Sequence, residues 1–402
     1  MKMQTKSKVW TKDFFILSLV NFFLTLIFFL LNATITLYAL NEFNASTSQA
    51  GLVAGIFIIG ALIGRLFTGP FMNAIGPKRI LMIGLIFFTL TTLLYFMDYG
   101  ISFLIMSRFV NGITVGIATT VIGTIVALTI PESRRGEGIG YFAVSTALAT
   151  GLGPFIGLYM SQHKSFDMIF SFSLVLGIIS LVTGFFVNIP LSKTTKMKHE
   201  IVGFKLSGFI EPKALPIGII ILTMAFCFSG VLSYLNLYAI KLDLVDTASF
   251  FFIVYTASVL VSRPFTGRLM DRKGANFIMY PAFILFGVGM LLLSSASNSV
   301  TFLLAGAMIG FGFGNILSVG QTIAVNLAAP HRMGLATATF FISFDIGNGF
   351  GPSLLGLVIP TSGYNALYAI LGIVVFATST LYYFLYGKKE RAYRLSMAES
   401  SC

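Results

Sequence analysis

The sequence predicts an all-α membrane protein in which twelve transmembrane helices form two pseudo-symmetric six-helix bundles. Three observations predict this fold: the composition, the lengths of the apolar runs, and a repeat that relates the two halves. Of the 402 residues, 56% are hydrophobic and only 10% are charged, whereas roughly 25% of the residues in a soluble domain are charged. The apolar runs are about 20 residues long or longer, which is the length that a helix needs to cross a bilayer.

Polar or glycine-containing loops separate the apolar runs. The first run, 14–40, is too long for the apolar region of a signal peptide, about 7–15 residues, so we interpret it as the first span. The spans of the first half are 14–40, 50–72, 80–97, 101–130, 137–161 and 167–189. Those of the second half are 216–240, 248–270, 277–295, 299–328, 334–359 and 364–386.

A repeat at an offset of 198 residues relates the two halves. Gly64-Arg-Leu-Phe-Thr-Gly-Pro-Phe-Met-Asn-Ala-Ile-Gly76 matches Ser262-Arg-Pro-Phe-Thr-Gly-Arg-Leu-Met-Asp-Arg-Lys-Gly274. A period close to half the chain length indicates a duplicated domain. We therefore predict a first bundle at 1–189, a central loop at 190–215, and a second bundle with a short tail at 216–402.

The basic residues predict the orientation in the membrane. Of the 26 Lys and Arg residues, 21 fall at the termini, in the central loop, or in the loops 2–3, 4–5, 8–9 and 10–11. We call this the basic side. Only Lys164 and Lys241 fall on the opposite side, while Arg65, Arg108 and Arg263 fall inside spans. By the positive-inside rule, both termini and the central loop are expected in the cytoplasm, and we expect the protein in the plasma membrane of a bacterial cell.

These features resemble the major facilitator superfamily of transporters, and the resemblance covers essentially the whole chain. The loop 2–3 signature of that superfamily is roughly G-x-L-a-D-r-x-G-r-k. The first copy here reads Gly69-Pro-Phe-Met-Asn73-Ala-Ile-Gly76-Pro-Lys78-Arg79. The second copy, Gly267-Arg-Leu-Met-Asp271-Arg272-Lys-Gly274, matches the signature more closely.

The resemblance implies that these signature residues form part of a cytoplasmic gate. Asn73 stands where the signature has an aspartate, so the first copy lacks that charge. Arg65 and Arg263 lie near the basic-side ends of spans 2 and 8, where long side chains can reach water. We therefore predict a gate or structural role for both.

Two further motifs resemble those of proton-coupled efflux members. In span 4, Arg108-Phe-Val-Asn111-Gly112 is similar to R-x-x-q-G, with Asn in place of Gln. In span 5, Gly151-Leu-Gly153-Pro154-Phe-Ile-Gly157 is similar to the antiporter signature. We predict that Gly153, Pro154 and Gly157, with Gly351 and Pro352 of span 11, form surfaces on which the two halves rock; close helix packing alone is the alternative.

Asp345 is the only acidic residue well inside a predicted span. It lies eleven residues into span 11, about 16 Å at 1.5 Å per residue, and therefore near the bilayer midplane. Desolvation favours the neutral form of a carboxyl group, so Asp345 could load and release protons. The alternative is a structural acid bonded to Asn348 or to a neighbouring helix. The resemblance implies that Arg108 assists this proton transfer or poises Asp345; pairing with an anionic substrate or a structural partner is the alternative.

The resemblance also implies that spans 1, 4, 7 and 10 line the transport pathway. Polar residues of those spans are therefore candidate substrate contacts, and hydrogen bonds between helices are the alternative use of the same side chains. The candidates are Asn21, Asn32, Tyr38, Asn111, Tyr234, Asn236, Asn315 and Gln321.

We expect a secondary transporter of the drug:proton antiporter or efflux type, which exports a small organic molecule in exchange for protons by alternating access. Uptake of a sugar, an organic anion or an amino acid, by proton symport or facilitated diffusion, is the first alternative. A non-transporting membrane sensor or scaffold is a remote alternative. Direction rests only on the motifs of spans 4 and 5.

The sequence contains no P-loop, no metal-ligand spacing of Cys or His, and no nucleophile–base set. We therefore expect no ATP drive, no metal, no cofactor and no enzymatic activity. The expected partners are the substrate, protons and the lipid bilayer. We expect no nucleic acid partner, and a monomer would suffice for this function.

Overall fold

The apolar runs of the sequence form long α-helices in a computed structural model, which describes residues 9–188 and 209–392. The helices of the first half are α1 Lys12–Phe43, α2 Thr47–Ile75, α3 Pro77–Leu93, α4 Ile101–Thr129, α5 Arg135–His163 and α6 Phe166–Phe185. Those that follow are α7 Leu215–Lys241, α8 Val245–Lys273, α9 Asn276–Ser294, α10 Ser299–Leu327 and α11 Met333–Tyr382. In the described ranges, eleven helices are long and apolar enough to cross a membrane, which confirms the all-α membrane fold.

The last helix, α11, covers the predicted span 334–359 and most of the predicted span 364–386, whose final residues form a π-helical turn, Tyr383–Gly387. It is 50 residues long, and its backbone is not helical at Gly363, where φ is 74° and ψ is 172°. This break falls between the spans predicted at 334–359 and 364–386. The count of twelve crossings and the side on which the termini lie stay predictions.

Contacts between Cα atoms divide the chain into two units. The first unit comprises Met1–Glu132, Leu148–Glu211 and Ala328–Ile342. The second comprises Ser133–Ala147, Pro212–Leu327 and Ser343–Cys402. The first unit therefore includes the beginning of α11, and the second includes the beginning of α5. The predicted bundles at 1–189 and 216–402 follow the sequence repeat and stay predictions; of the central loop, only residues 209–215 are described.

In the first unit, α2 and α4 cross with their backbones in contact. A Cβ atom added at Gly60 would overlap the carbonyl oxygen of Phe109, and one added at Gly112 would overlap that of Phe57. Small residues four apart allow this close approach of membrane helices, which are stabilised by packing and not by the hydrophobic effect. The glycines at the crossing are Gly60, Gly64, Gly112 and Gly116.

The second unit repeats this crossing with α8 and α10. Ser258 and Ser262 of α8 stand 198 residues after Gly60 and Gly64. A Cβ atom at Gly310 of α10 would lie 2.5 Å from the backbone oxygen of Tyr255. The sequence repeat is therefore also a repeat of helix packing.

The two signature loops depend on glycine at their turns. Gly76, between α2 and α3, has a φ of 89°, and Gly274, between α8 and α9, has a φ of 93°. L-residues with a Cβ atom rarely adopt such angles, whereas glycine does so at no steric cost. This requirement explains why both copies of the signature keep a glycine at this position.

Candidate functional site

Arg108 of α4 is completely buried. Its Nε donates to the backbone oxygen of Val53 at 3.4 Å, and its Nη1 donates to the Tyr95 hydroxyl at 3.5 Å. The guanidinium carbon lies 4.5 Å from the centre of the Phe57 ring. Its Nη2 is buried and has no hydrogen-bond partner among the described residues. A buried cation with an unused N–H group favours the approach of an acidic or polar group.

Asp345 lies half-buried on α11 in the second unit. One turn further, the side-chain oxygen of Asn348 is buried and lacks a hydrogen-bond partner in the described part of the chain. A Cβ atom at Gly347 would overlap the backbone oxygen of Leu222, so α11 lies in backbone contact with α7 at this level. The predicted proton carrier is therefore on a tightly packed helix, beside a polar group with unused capacity.

Three of the predicted substrate contacts form hydrogen bonds to neighbouring helices. Asn111 Nδ2 donates to the Thr91 hydroxyl of α3 at 2.9 Å. The Tyr234 hydroxyl donates to the backbone oxygen of Pro352 at 2.5 Å. Asn315 Oδ1 accepts a bond of 2.9 Å from a threonine hydroxyl of α8. These side chains make the inter-helix bonds that were the alternative to substrate contact.

The other five candidates differ in their surroundings. Gln321 is buried, and its Nε2 has no hydrogen-bond partner within the described ranges. Asn21 is also buried, while Asn32 and Asn236 are exposed. Tyr38 packs against phenylalanine rings of α1 and α6. Among the eight, Gln321 is thus the one for which an unused buried donor is evident.

The two repeated arginines link equivalent helix pairs. Arg65 Nη1 donates to the Thr119 and Thr120 hydroxyls of α4, each at 3.2 Å. Arg263 Nη1 donates to the Ser318 hydroxyl of α10, and Ser318 stands 198 residues after Thr120. Both arginines are buried. Arg65 therefore links α2 to α4 in the first unit, and Arg263 links α8 to α10 in the second unit.

The second signature copy holds the beginning of α5. Asp271 accepts hydrogen bonds from the backbone N–H groups of Gly136 at 2.8 Å and Glu137 at 2.9 Å. A carboxylate at this place also complements the positive end of the helix dipole. Glu137 in turn pairs with Arg268 at 2.8 Å and with Arg134 at 2.7 Å. We call Asp271, Gly136, Glu137, Arg268 and Arg134 together the ionic cluster.

Glycines allow α8 to approach α5 closely enough for the ionic cluster to form. A Cβ atom at Gly267 would lie 2.7 Å from the Cα atom of Glu137. One at Gly136 would lie 2.6 Å from a carboxylate oxygen of Asp271. A larger residue at either position would push the two helices apart. This close contact explains why the signature has a glycine at Gly267.

The first signature copy makes apolar contacts instead. Leu335 stands 198 residues after Glu137, and a Cβ atom at Gly69 of α2 would lie 2.5 Å from a Leu335 methyl group. A Cβ atom at Gly334 would overlap the end of the Met72 side chain. The side chain of Asn73 lies outside the described residues. In this copy, α2 and the beginning of α11 therefore meet through Leu335 of α11 and Met72 of α2.

Near the first signature copy, the ion pair is formed with Glu211, which lies at the end of the central loop. Arg332 stands 198 residues after Arg134, and its Nε donates to a carboxylate oxygen of Glu211, which is buried. The backbone N–H of Glu211 donates to the Thr339 hydroxyl of α11 at 2.9 Å. Arg134 and Arg332 thus both pair with an acid, but the acids come from different parts of the chain.

The remaining signature residues are placed as follows. Lys78 donates to three backbone oxygens at the end of α6, at 2.7 to 2.9 Å, where a cation complements the negative end of the helix dipole. Arg79 and Arg272 are exposed. The structure thus gives Lys78 a specific contact to α6.

The predicted rocking surfaces are close packing contacts within each unit. A Cβ atom at Gly153 of α5 would lie 2.7 Å from the Phe29 side chain of α1, and one at Gly157 would lie 2.7 Å from the backbone of the same helix. In the second unit, a Cβ atom at Gly351 would overlap the Ser229 side chain of α7. Pro154 and Pro352 lie inside α5 and α11. The rocking role itself stays a prediction.

The chain matches a known family over nearly its whole length, including the duplicated helices and the signature loops. The family model of the Major Facilitator Superfamily matches residues 17–284 and 245–399. The chain belongs to this superfamily. It is therefore a multi-pass membrane transporter.

Relatives in the superfamily confirm the resemblance to its efflux subgroup. An uncharacterised MFS-type transporter of Methanocaldococcus jannaschii is 29% identical over 83% of this chain and 88% of its own. The staphylopine export protein of Staphylococcus aureus is 21% identical, over 88% and 92%. Multidrug resistance protein 2 of Bacillus subtilis is 25% identical, over 78% and 81%.

A solved structure shares the superfamily fold. The proton:xylose symporter superposes with a TM-score of 0.76 over 93% of this chain and 95% of its own, at 13% identity. At this identity the likeness shows the fold alone.

Sequence reasoning missed four residues that form ion pairs near the signature loops: Glu137, Arg134, Arg268 and Arg332. It also missed Glu211. Arg134 and Glu137 are three residues apart at the start of a helix, and Arg134 repeats as Arg332, so both signals were present in the sequence. The partners Arg268 and Glu211 lie 131 and 121 residues away, and only the tertiary structure identifies them.

Replacing Asp271 by asparagine is expected to weaken the attachment of the beginning of α5 to α8. Asparagine removes the charge from two hydrogen bonds that are each worth about 1.5–3 kcal/mol when charge-assisted. Amide hydrogen exchange at Gly136 and Glu137 should therefore accelerate about tenfold or more. Lys273→Gln, which removes an exposed charge two residues away, is the control and should leave both exchange rates unchanged. Equal exchange in the two variants would contradict the assignment of Asp271 as the group that holds α5.

Proposed function

We propose that the protein exports a small organic molecule in exchange for protons, by alternating access. The motifs of α4 and α5 and the export and resistance functions in the names of two relatives support this direction. The observation that carries the proposal is the completely buried Arg108 in the efflux motif, whose Nη2 has no partner in the described residues. Such a group is suited to a transient acidic or polar partner, because leaving a buried donor unused costs free energy.

In this proposal Asp345 carries the proton. Protonation from the outside favours one conformational state, and release to the inside resets the cycle. A charged carboxyl group within a membrane span is energetically costly. Its protonation therefore depends on the pH of the side of the membrane to which it is open. Arg108 acts on the same cycle, either by holding the substrate or by tuning the carboxyl group.

Proteoliposomes with an imposed pH gradient test this function. We expect an acidic lumen to drive accumulation of at least one member of a panel of ethidium, a siderophore and xylose, as protons leave. Asp345→Asn should abolish the accumulation while substrate exchange at equal pH survives, because asparagine cannot take up a proton. Asp345→Glu is the matched control, since it keeps a titratable group and should retain part of the coupling.

Two results would contradict the proposal. Movement of substrate together with protons would establish uptake by symport instead of export. Full coupling in Asp345→Asn would show that Asp345 is structural and that another group carries the proton.

A further inference from the structure

A groove of about 450 Å³ opens between the beginning of α9 and the last described turns of the chain. Asn276 and Tyr280 of α9 form one wall. Ser379, Tyr383 and Arg391 of the final helical stretch form the other, together with Phe384. Both walls lie at the basic side of the second unit, where α9 starts and the final stretch ends.

A widened turn and a polar network shape this groove. Tyr383–Gly387 form a π-helical turn, which is rare and often occurs at functional sites. Asn276 Nδ2 donates to the backbone oxygen of Gly387 at 2.8 Å, and the Tyr382 hydroxyl donates to Asn276 Oδ1 at 2.9 Å. These bonds fix the final stretch against α9, so the groove is a built feature of the fold.

The groove carries an available positive charge. The two carboxylate oxygens of Glu390 accept the backbone N–H groups of Ala275 at 2.6 Å and Asn276 at 2.8 Å. The acid that neighbours Arg391 is therefore engaged with the beginning of α9. Arg391 itself is exposed and forms no ion pair within the described ranges. Lys388 and Lys389 are exposed as well, but they do not line the groove.

The wall that carries Arg391 also presents exposed aromatic side chains. Phe384 is 66% exposed and Tyr383 is 37% exposed, and both lie in the last turn of the membrane span predicted at 364–386. Aromatic side chains with a polar end collect where the hydrocarbon meets the headgroups. A ligand of this groove must therefore present an anion to Arg391 and an apolar chain to the two rings.

We infer that this groove binds an anionic phospholipid, with its phosphate at Arg391 and the hydroxyls of Tyr280 and Ser379, and an acyl chain along Phe384. An arginine offers paired donors to phosphate oxygens. Basic residues at the membrane surface attract anionic lipids. A free phosphate ion would leave the aromatic rings uncovered, so the lipid is the occupant that uses both the charge and the apolar surface of the groove.

Thermal unfolding of the purified full-length protein in detergent tests this inference. We expect phosphatidylglycerol to raise the unfolding temperature more than the same amount of phosphatidylcholine. In Arg391→Gln the concentration of phosphatidylglycerol needed for half of this shift should rise about tenfold, because a charge-assisted contact is lost. Lys389→Gln is the matched control, since it removes the same charge without lining the groove, and it should respond like the wild type.

A second variant tests the groove without changing charge. Ser379→Phe fills the cavity and should weaken the phosphatidylglycerol response while preserving the response to phosphatidylcholine. Three results would overturn the inference: equal shifts with both lipids, an unchanged response in Arg391→Gln and Ser379→Phe, or the same shift with inorganic phosphate alone. The last result would assign the site to a soluble anion.

Discussion

Replacing Gly60 by alanine is expected to destabilise the protein by about 3 kcal/mol or more. A Cβ atom at this position would overlap the carbonyl oxygen of Phe109, and a backbone atom cannot move aside as a flexible side chain can. Overpacking typically costs about 1–3 kcal/mol of stability. Because the added methyl group would push α2 away from α4, we expect a cost at the upper end of this range or above it. The thermal unfolding temperature in detergent and the yield of monodisperse protein measure the effect.

Gly55 supplies the matched control on the same helix. A Cβ atom there would meet no other atom within 4 Å, so Gly55→Ala adds the same methyl group without a clash. Alanine is favoured over glycine in a helix by about 0.8–1.0 kcal/mol, so this variant should be as stable as the wild type or more stable. Equal destabilisation by both substitutions would show that the crossing of α2 and α4 is looser than the structure indicates.

Replacing Arg108 by glutamine is expected to lower transport about 10- to 100-fold with little loss of stability. The guanidinium group offers a charge-assisted hydrogen bond to a transient partner, and such bonds are worth about 1.5–3 kcal/mol. We expect the variant to stay folded, because replacing a buried charge by a neutral group also removes a desolvation cost. Initial transport rates in proteoliposomes and the unfolding temperature should be measured on the same preparations.

Tyr95→Phe separates a functional role of Arg108 from a structural one. This variant removes only the hydroxyl that Arg108 Nη1 contacts at 3.5 Å, and it leaves the charge and Nη2 in place. We expect near-normal transport from it. If Arg108→Gln and Tyr95→Phe lower stability and transport in parallel, Arg108 acts through packing and the proposed role in transport is wrong.

Much of the fold follows from local properties of the sequence. The lengths of the apolar runs predict membrane helices, since a helix rises 1.5 Å per residue and the bilayer has a fixed thickness. The repeat at 198 residues predicts the duplication, and the turn glycines Gly76 and Gly274 mark the same loop in both halves. The break at Gly363 falls where the sequence predicts the end of a span. Each of these features depends on neighbouring residues or on a comparison of two stretches.

The candidate site was predictable only in part. Arg108 and Asp345 stand out because charged residues inside membrane spans are costly and therefore rare. The polar residues of the same spans are not distinguishable in this way. Asn111 and Gln321 are both buried amides in helices predicted to line the pathway, yet the first bonds to α3 and the second keeps an unused donor.

The sequence by itself determined the class of protein, the approximate positions of the apolar helices, and the duplicated signature. Only the tertiary structure decided which groups each polar side chain meets. Asp271 holds the beginning of α5, 135 residues earlier in the chain, and Glu211 takes the position that symmetry would assign to an acid on α11. Such pairs depend on how each helix is rotated about its axis, and one residue changes that rotation by about 100°. Helix lengths fix where a residue lies along the membrane normal, whereas the packing of the helices fixes which neighbour it faces.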